Sequence, residues 1–275
     1  MNPAQSPSPD AEGLFLALAV ELMPWDAEKY HQFQAERSAP FDDLLKLVEM
    51  RPGMSAVDLG CGTGELTRRM ADALPGGRVV GIDSSPEMLE RARALSRAGL
   101  QFEAGDQAAL SGGYDLIFSN AALQWSEDHA RLFPRLFACL HPGGQLAVQM
   151  PSNHNHISHQ VYREVAGLEP FTGLLRGYNR RSPVLLTEDY ARILFEQRAE
   201  EILVLERIYP HVLENADAVV DWIAGTALIP YFERLSTEGR AQFEAAIRAR
   251  MRRELPGSPV FYPFKRTFIS AFRPG

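Results

Sequence analysis

The chain has 275 residues, of which 45% are hydrophobic and 23% are charged, so it can build its own core and lies outside the composition range of disordered chains. Its 28 basic and 35 acidic residues give a formal net charge of −7, which argues against general binding to nucleic acid or to anionic membranes. The two cysteines, Cys61 and Cys139, are too few for a disulfide framework or a zinc site, which suits a reducing, cytoplasmic location.

The N-terminal segment contains a run that partly resembles a targeting signal. Residues 13–23 are apolar except for Glu21, but Asp10 and Glu12 precede them, where a signal peptide would carry positive charge. The run is also too short to span a membrane. We therefore interpret residues 1–24 as an N-terminal extension, either translation upstream of Met23 or a loosely packed helix.

Strand and helix patterns alternate through the first half of the chain. Ser84 and Glu87 have the spacing of a capping box before a helix that carries Pro86 in its first turn. Residues 142–144, Pro-Gly-Gly, predict a turn. Because strands alternate with helices, we expect a parallel sheet with helices on both faces. The predicted strands are 54–60, 78–83, 100–105, 114–120 and 145–150, and a helix is expected over 129–140.

The alternation ends after Pro151, where helical patterns dominate. They cover 158–168, 188–197, 217–224 and 237–253, with strand-like runs from Glu201 and Lys265. We expect helical insertions that form a cap over the carboxyl edge of the sheet, followed by closing strands. The predicted organisation is therefore a ligand-binding domain with an N-terminal lid helix over 25–150, and a substrate cap plus closing strands over 151–275.

A glycine-rich turn follows the first predicted strand. Asp58 ends the strand, and Gly60, Gly62 and Gly64 allow a ligand to approach the backbone closely. Asp83 follows about 20 residues later, the spacing expected of an acid that binds ribose hydroxyls. Glu65 is unfavourable beside a pyrophosphate at the start of a helix. The pattern thus favours S-adenosylmethionine, which has a ribose, a positive sulfonium and no phosphate.

Motifs at four successive strand ends resemble those of class I S-adenosylmethionine-dependent methyltransferases. They are residues 58–64, Asp83, residues 105–107 and Asn120. The resemblance implies an α/β fold: a Rossmann-like seven-stranded sheet with helices on both faces and a helical cap. It also implies that the glycine turn contacts the methionine part, Asp83 the ribose and Asp106 the adenine, while Asn120 lies near the transferred methyl group. The implied cofactor-binding residues are Arg37, Asp58, Gly60, Cys61, Gly62, Gly64, Asp83, Ser84, Met88, Asp106, Gln107 and Asn120.

Several further segments resemble the trans-aconitate 2-methyltransferase family. They are residues 25–38, 81–86, 120–125, 132–134 and 146–151. Membership implies that one carboxylate of a small tricarboxylic acid is methylated to a monomethyl ester, with S-adenosylhomocysteine as the second product. The chain departs from the family at Ala39, where a second arginine is common, and at Asn153-His154, where an Asn-Trp pair is usual.

The implied chemistry makes few demands on acid–base side chains. An ionised carboxylate is already a nucleophile at neutral pH, so no general base is required. Spare carboxylates of a polyacid need cationic or hydrogen-bonding contacts, which arginine supplies well. The candidate substrate-positioning residues are Tyr30, Trp125, His154, Arg181 and Arg266. The expected partner is a small polycarboxylate, with no nucleic acid and no membrane, and a monomer is favoured.

Some residues have more than one interpretation. Trp125 either packs in the core or forms a wall of the active site, and Met88 either contacts adenine or belongs to the core. His154, His156 and His159 lack a nearby carboxylate or cysteine, so we expect a polar loop rather than a metal site.

Three other functions compete with this interpretation. One is methylation of a different small-molecule or carrier-bound carboxylate. Another is a catalytically silent protein that binds S-adenosylmethionine, because binding and transfer use the same residues. A nicotinamide-dependent dehydrogenase is disfavoured by Glu65 and by the lack of a catalytic histidine or lysine constellation.

Overall fold

The computed structural model describes residues 34–275, with side chains from residue 39 onward. The predicted extension over 1–24, Tyr30 and the side chain of Arg37 lie outside the described residues. The strands are β1 (Ser55–Leu59), β2 (Arg78–Asp83), β3 (Leu100–Ala104), β4 (Tyr114–Asn120), β5 (Leu140–Pro151), β6 (Glu200–Leu213) and β7 (Val260–Phe272). The helices are α1 (Gln34–Leu45), α2 (Glu65–Asp72), α3 (Pro86–Arg93), α4 (His129–Ala138), α5 (Ile157–Ala166), α6 (Phe171–Leu174), α7 (Thr187–Glu196), α8 (Ala216–Ala224), α9 (Ile229–Phe232) and α10 (Thr237–Glu254).

The seven strands form one sheet in the order β3-β2-β1-β4-β5-β7-β6. β1 to β5 pair in parallel, and β7 runs antiparallel to both β5 and β6. This arrangement confirms the predicted Rossmann-like seven-stranded fold. Because β1, β2, β3 and β4 run in the same direction, their carboxyl ends meet at one edge of the sheet. β1 lies between β2 and β4, and ligands bind at this edge in such sheets.

Two apolar clusters cover the two faces of the sheet. Phe41, Phe118 and Phe268 belong to one cluster, and Phe133 and Tyr190 belong to the other; all five side chains are fully or almost fully buried. The sequence accounts for this packing because parallel strands covered on both faces are nearly continuous apolar runs.

The predicted turn at residues 142–144 is wrong as a boundary of β5. The strand begins at Leu140 and runs through Pro142, Gly143 and Gly144, with a shift of register against β4. The Gly143 N–H donates to the Arg273 carbonyl at 2.9 Å, and the Arg273 N–H donates to the Gly144 carbonyl at 2.8 Å. Backbone pairing with the chain after β7 therefore continues through residues whose local preference is a turn.

Two insertions, one between β5 and α7 and the other between β6 and β7, supply the helices of the proposed cap. They contribute α5, α6, α8, α9 and α10, of which the helical patterns predict α5, α8 and α10 but not the four-residue helices α6 and α9. The helix predicted over 188–197 is also present as α7, but it does not belong to the cap. Its Tyr190 and Leu194 lie in the same buried cluster as Phe133 of α4, so α7 is one of the helices that cover the sheet.

Candidate functional site

The glycine turn connects β1 to α2 at the carboxyl edge of the sheet. The N–H groups of Gly60 and Cys61 donate to the Ile82 carbonyl at 2.7 and 3.0 Å. A Cβ on Gly60 would lie 2.1 Å from the Ala122 Cβ, so this position requires glycine. Gly62 has φ +55°, and a Cβ added there would meet no atom of a non-adjacent residue within 4 Å, so this part of the turn faces open space. A ligand can therefore approach the turn at Gly62.

Asp58 is buried beneath this turn. Its Oδ2 accepts a hydrogen bond from the Thr67 hydroxyl at 2.6 Å. Burial, with a smaller contribution from the nearby charge of Asp83, raises the pKa of Asp58 to about 7, although the Thr67 bond opposes the shift. Burial and the same two carboxylates also raise the pKa of the Cys61 thiol, which is therefore neutral and unsuited to act as a nucleophile. The charge of Asp83, together with the ionised fraction of Asp58, makes this end of the sheet favourable for a positively charged ligand.

The Asp83 carboxylate is oriented by two backbone groups. Its Oδ2 accepts from the Gly62 N–H at 2.9 Å, and its Oδ1 accepts from the Ser85 N–H at 2.8 Å. The residue that caps α3 is Ser85, not Ser84, because the Ser85 hydroxyl accepts from the Met88 N–H at 3.3 Å. The predicted capping box at Ser84 is therefore displaced by one residue, and Ser84 is exposed.

The residues after β3 lie on the same edge. Asp106 is exposed, and its Oδ1 accepts from the Ala108 N–H at 2.8 Å. Gln107 points toward the segment after β4, where its Nε2 donates to the Ser126 hydroxyl at 2.7 Å. The structure thus brings the predicted cofactor-binding residues at the ends of β1, β2 and β3 to one edge. Met88 is half-buried on α3. This position does not decide between its two interpretations, a core residue and a contact to adenine.

Asn120 belongs to a chain of side-chain hydrogen bonds, which we call the Asn120–Gln149–Arg266 relay. The Gln149 Nε2 donates to Asn120 Oδ1 at 2.9 Å, and the Arg266 Nη1 donates to Gln149 Oε1 at 3.1 Å. Gln149 and Arg266 are both buried, and the Arg266 guanidinium lies 4.3 Å from the centroid of the Phe264 ring. Gln149 is not among the residues predicted from the sequence, although a polar residue in an otherwise apolar strand is a signal for it.

The segment after Asn120 is strained and firmly held. Ala121 has φ +55°, a conformation that non-glycine residues rarely adopt. The buried His129 donates through Nε2 to the Leu123 carbonyl at 2.9 Å, and its Nδ1 accepts from the Tyr190 hydroxyl. Burial lowers the pKa of His129, which suits this neutral tautomer. His129 therefore fixes the turn that follows the candidate transfer site, a role that sequence reasoning missed.

Trp125 lies in this turn and is 44% exposed. Of its two interpretations, a core residue and a wall of the active site, the first is therefore wrong.

His154 and Arg181 line a cleft of about 510 Å³ together with the exposed or half-buried polar residues Gln160, Arg163, Glu164, Asn179 and Ser182. Within the described residues, the buried His154 Nδ1 has no hydrogen-bond partner. Burial and the neighbouring Arg163 lower the pKa of His154, which keeps its ring neutral. Two of the predicted substrate residues therefore share one cleft.

Among residues 34–275, no group of three or more histidine, cysteine or acidic side chains is placed to hold a metal ion. None of the helices described is both long enough and apolar enough to cross a membrane.

The chain was compared with families and with individual relatives. A family model described as "Methyltransferase domain" matches residues 50–189. A trans-aconitate 2-methyltransferase of Deinococcus radiodurans is 45% identical over 258 residues, which cover 92% of this chain and 99% of the relative. A trans-aconitate 2-methyltransferase of Azoarcus sp. strain BH72 is 38% identical and covers 90% of this chain and 99% of the relative.

Solved structures resemble the fold at low sequence identity. The YcgJ protein of Bacillus subtilis matches with a TM-score of 0.58 and 13% identity, covering 86% of this chain and 99% of that one. A putative methyltransferase of Bacillus halodurans matches with the same TM-score and 15% identity, covering 86% of this chain and all of that one. These similarities support the architecture alone.

Proposed function

Because this chain belongs to the trans-aconitate 2-methyltransferase family, and is therefore an S-adenosylmethionine-dependent methyltransferase, we propose that it esterifies one carboxylate of a small polycarboxylic acid. The proposed substrate is trans-aconitate, and the product is its monomethyl ester. When bound, S-adenosylmethionine supplies an electrophilic methyl group on a positively charged sulfur.

The carboxyl edge of the sheet fits the methyl donor in charge and shape. Asp58 and Asp83 are both acidic, and the turn at Gly62 faces open space that a ligand could occupy. Asp83 is already oriented by the Gly62 and Ser85 N–H groups and keeps lone pairs for ribose hydroxyls. Asp106, exposed after β3, is the proposed contact for the adenine amino group.

The observation that carries the proposal is the orientation of Asn120. Gln149 donates to Asn120 Oδ1, so the amide nitrogen of Asn120 remains available to donate toward an acceptor oxygen. A substrate carboxylate is such an acceptor, and it needs no general base because it is ionised at neutral pH. The contribution of the protein is then to hold the reacting oxygen about 3 Å from the methyl carbon, in line with the leaving sulfur, and to exclude water.

The spare carboxylates of the substrate require separate contacts. Arg181 lines the cleft that also holds His154 and Arg163, and Arg266 ends the relay to Asn120. We propose Arg181 and Arg266 as cationic groups of the substrate site, with Trp125 as an exposed wall of it. Tyr30 and Arg37 remain proposed contacts to substrate and cofactor.

The test is transfer of labelled methyl from S-adenosylmethionine to a panel of acids. The panel contains trans-aconitate, cis-aconitate, citrate, isocitrate and the monocarboxylate crotonate, and base-labile label is scored as ester. We expect trans-aconitate to be labelled with the highest kcat/KM. Label that resists base, or cofactor binding without labelling of any acid, would contradict the proposal.

A further inference from the structure

Arg180 makes contacts that distinguish it from the other arginines of the cap. Its Nη2 donates to the Gln124 carbonyl at 2.6 Å, and its guanidinium carbon lies 4.6 Å from the centroid of the Trp125 ring. Both partners lie in the turn that follows Asn120. Arg180 therefore connects the cap directly to the segment beside the candidate transfer site.

The backbone around Arg180 determines which way the side chain points. The Arg180 N–H donates to the Tyr231 hydroxyl at 3.0 Å, which anchors this residue to α9. Arg181 is exposed and lines the cleft with His154, whereas Arg180 is half-buried against Gln124 and Trp125. Consecutive residues of an irregular, extended segment thus face different surroundings. Of these two arginines, Arg180 is the one that contacts the turn after Asn120.

The guanidinium of Arg180 keeps hydrogen-bonding capacity for a ligand. In the part of the chain that the structure describes, no carboxylate forms an ion pair with it, and the bond to Gln124 uses one nitrogen. Arginine can bind a carboxylate through two parallel N–H donors, and the guanidinium carbon of Arg180 lies over the Trp125 ring, 4.6 Å from its centroid.

Gln124 also carries a buried acceptor. Its Nε2 donates to the Ala121 carbonyl at 2.6 Å, but its Oε1 has no hydrogen-bond partner within the described residues. An amide oxygen cannot accept from an ionised carboxylate, so a hydroxyl group of a ligand or a water molecule bound with it would supply the donor. The contact to a carboxylate is therefore assigned to the Arg180 guanidinium alone.

We propose that Arg180 is a specificity-determining residue that binds a spare carboxylate of the polycarboxylate substrate, beside the turn that carries Gln124 and Trp125. The inference rests on the proposed function, because it assumes that the substrate has more than one carboxylate. Arg180 would then be a cationic contact in addition to Arg181, the contact predicted from the sequence.

The test compares Arg180→Ala with Arg234→Ala, a matched control. Arg234 also stacks on an aromatic ring, 3.8 Å from the Tyr178 centroid, and also donates to a backbone carbonyl, that of Pro230 at 2.6 Å. Arg180→Ala should lower kcat/KM for trans-aconitate about 10- to 100-fold, mainly through KM, because a charge-assisted bidentate contact is lost. Arg234→Ala should leave kcat/KM unchanged, and both variants should bind S-adenosylmethionine as the wild type does.

Two further readouts separate substrate binding from structural support. Added guanidinium chloride at low millimolar concentration should partly restore the activity of Arg180→Ala, and Arg180→Lys should retain part of it because the charge remains. A similar loss in Arg234→Ala, or an unchanged KM in Arg180→Ala, would overturn the inference. If the wild type labels no polycarboxylate, the proposed function fails instead, and the two failures are therefore distinguishable.

Discussion

Replacing Asp58 with asparagine should change how the stability of the protein depends on pH. The carboxyl group of Asp58 is buried, and its pKa rises from the usual 3.8 to about 7 in the folded chain. Such a group binds its proton more tightly when folded, so its ionisation opposes folding as the pH rises toward about 7. Each pH unit between about pH 5 and about pH 7 contributes about 1.4 kcal/mol, and little is added above the folded-state pKa. The wild type should therefore lose about 2–3 kcal/mol between about pH 5 and about pH 8 through this group.

Asp58→Asn removes this ionisation, while the amide oxygen can still accept from the Thr67 hydroxyl. Urea unfolding at the two pH values should therefore show a smaller loss of unfolding free energy in the variant than in the wild type. Asp72→Asn, a change at an exposed carboxylate on α2, is the control and should keep the wild-type pH dependence. The same pH dependence in Asp58→Asn and in the wild type would refute the assignment of a buried, protonated carboxyl group.

Three other variants test the site. Asp83→Ala should raise the Kd for S-adenosylmethionine about 10-fold or more, measured by calorimetry, because a ribose contact is lost. An unchanged Kd would show that the cofactor does not bind at this edge of the sheet. Gln149→Leu should lower kcat about 10-fold with little change in cofactor Kd, because Asn120 loses its orienting donor. An unaltered kcat would show that the relay does not serve catalysis. Arg181→Ala should raise KM for trans-aconitate more than for crotonate, and equal changes would exclude a contact with a spare carboxylate.

The positions in the fold of the proposed cofactor-binding residues could be predicted from sequence because they depend on local patterns. Asp58, Asp83 and Asn120 each stand at the end of an apolar run, and parallel strands bring their carboxyl ends to one edge. The requirement for glycine at position 60 was recognisable in the turn, although its cause, the close approach of Ala122, comes from a distant segment.

The substrate half could not be predicted equally well because it depends on tertiary contacts. Which of the two neighbouring arginines, Arg180 and Arg181, contacts the turn after Asn120 depends on the backbone of an irregular segment. The relay joins β4, β5 and β7, and no local pattern pairs Gln149 with Arg266. Similarly, helical periodicity identified α7 but could not show that Tyr190 packs against the sheet rather than in the cap.

The most direct test of the account is the structure of the product formed from trans-aconitate. The purified protein would be incubated with trans-aconitate and S-adenosylmethionine carrying a ¹³C-labelled methyl group, and the product examined by mass spectrometry and NMR. We expect a single added methyl group on a carboxylate oxygen, as a monomethyl ester, together with S-adenosylhomocysteine. A methyl group on carbon, or no methylated acid from a protein that binds the cofactor, would contradict it.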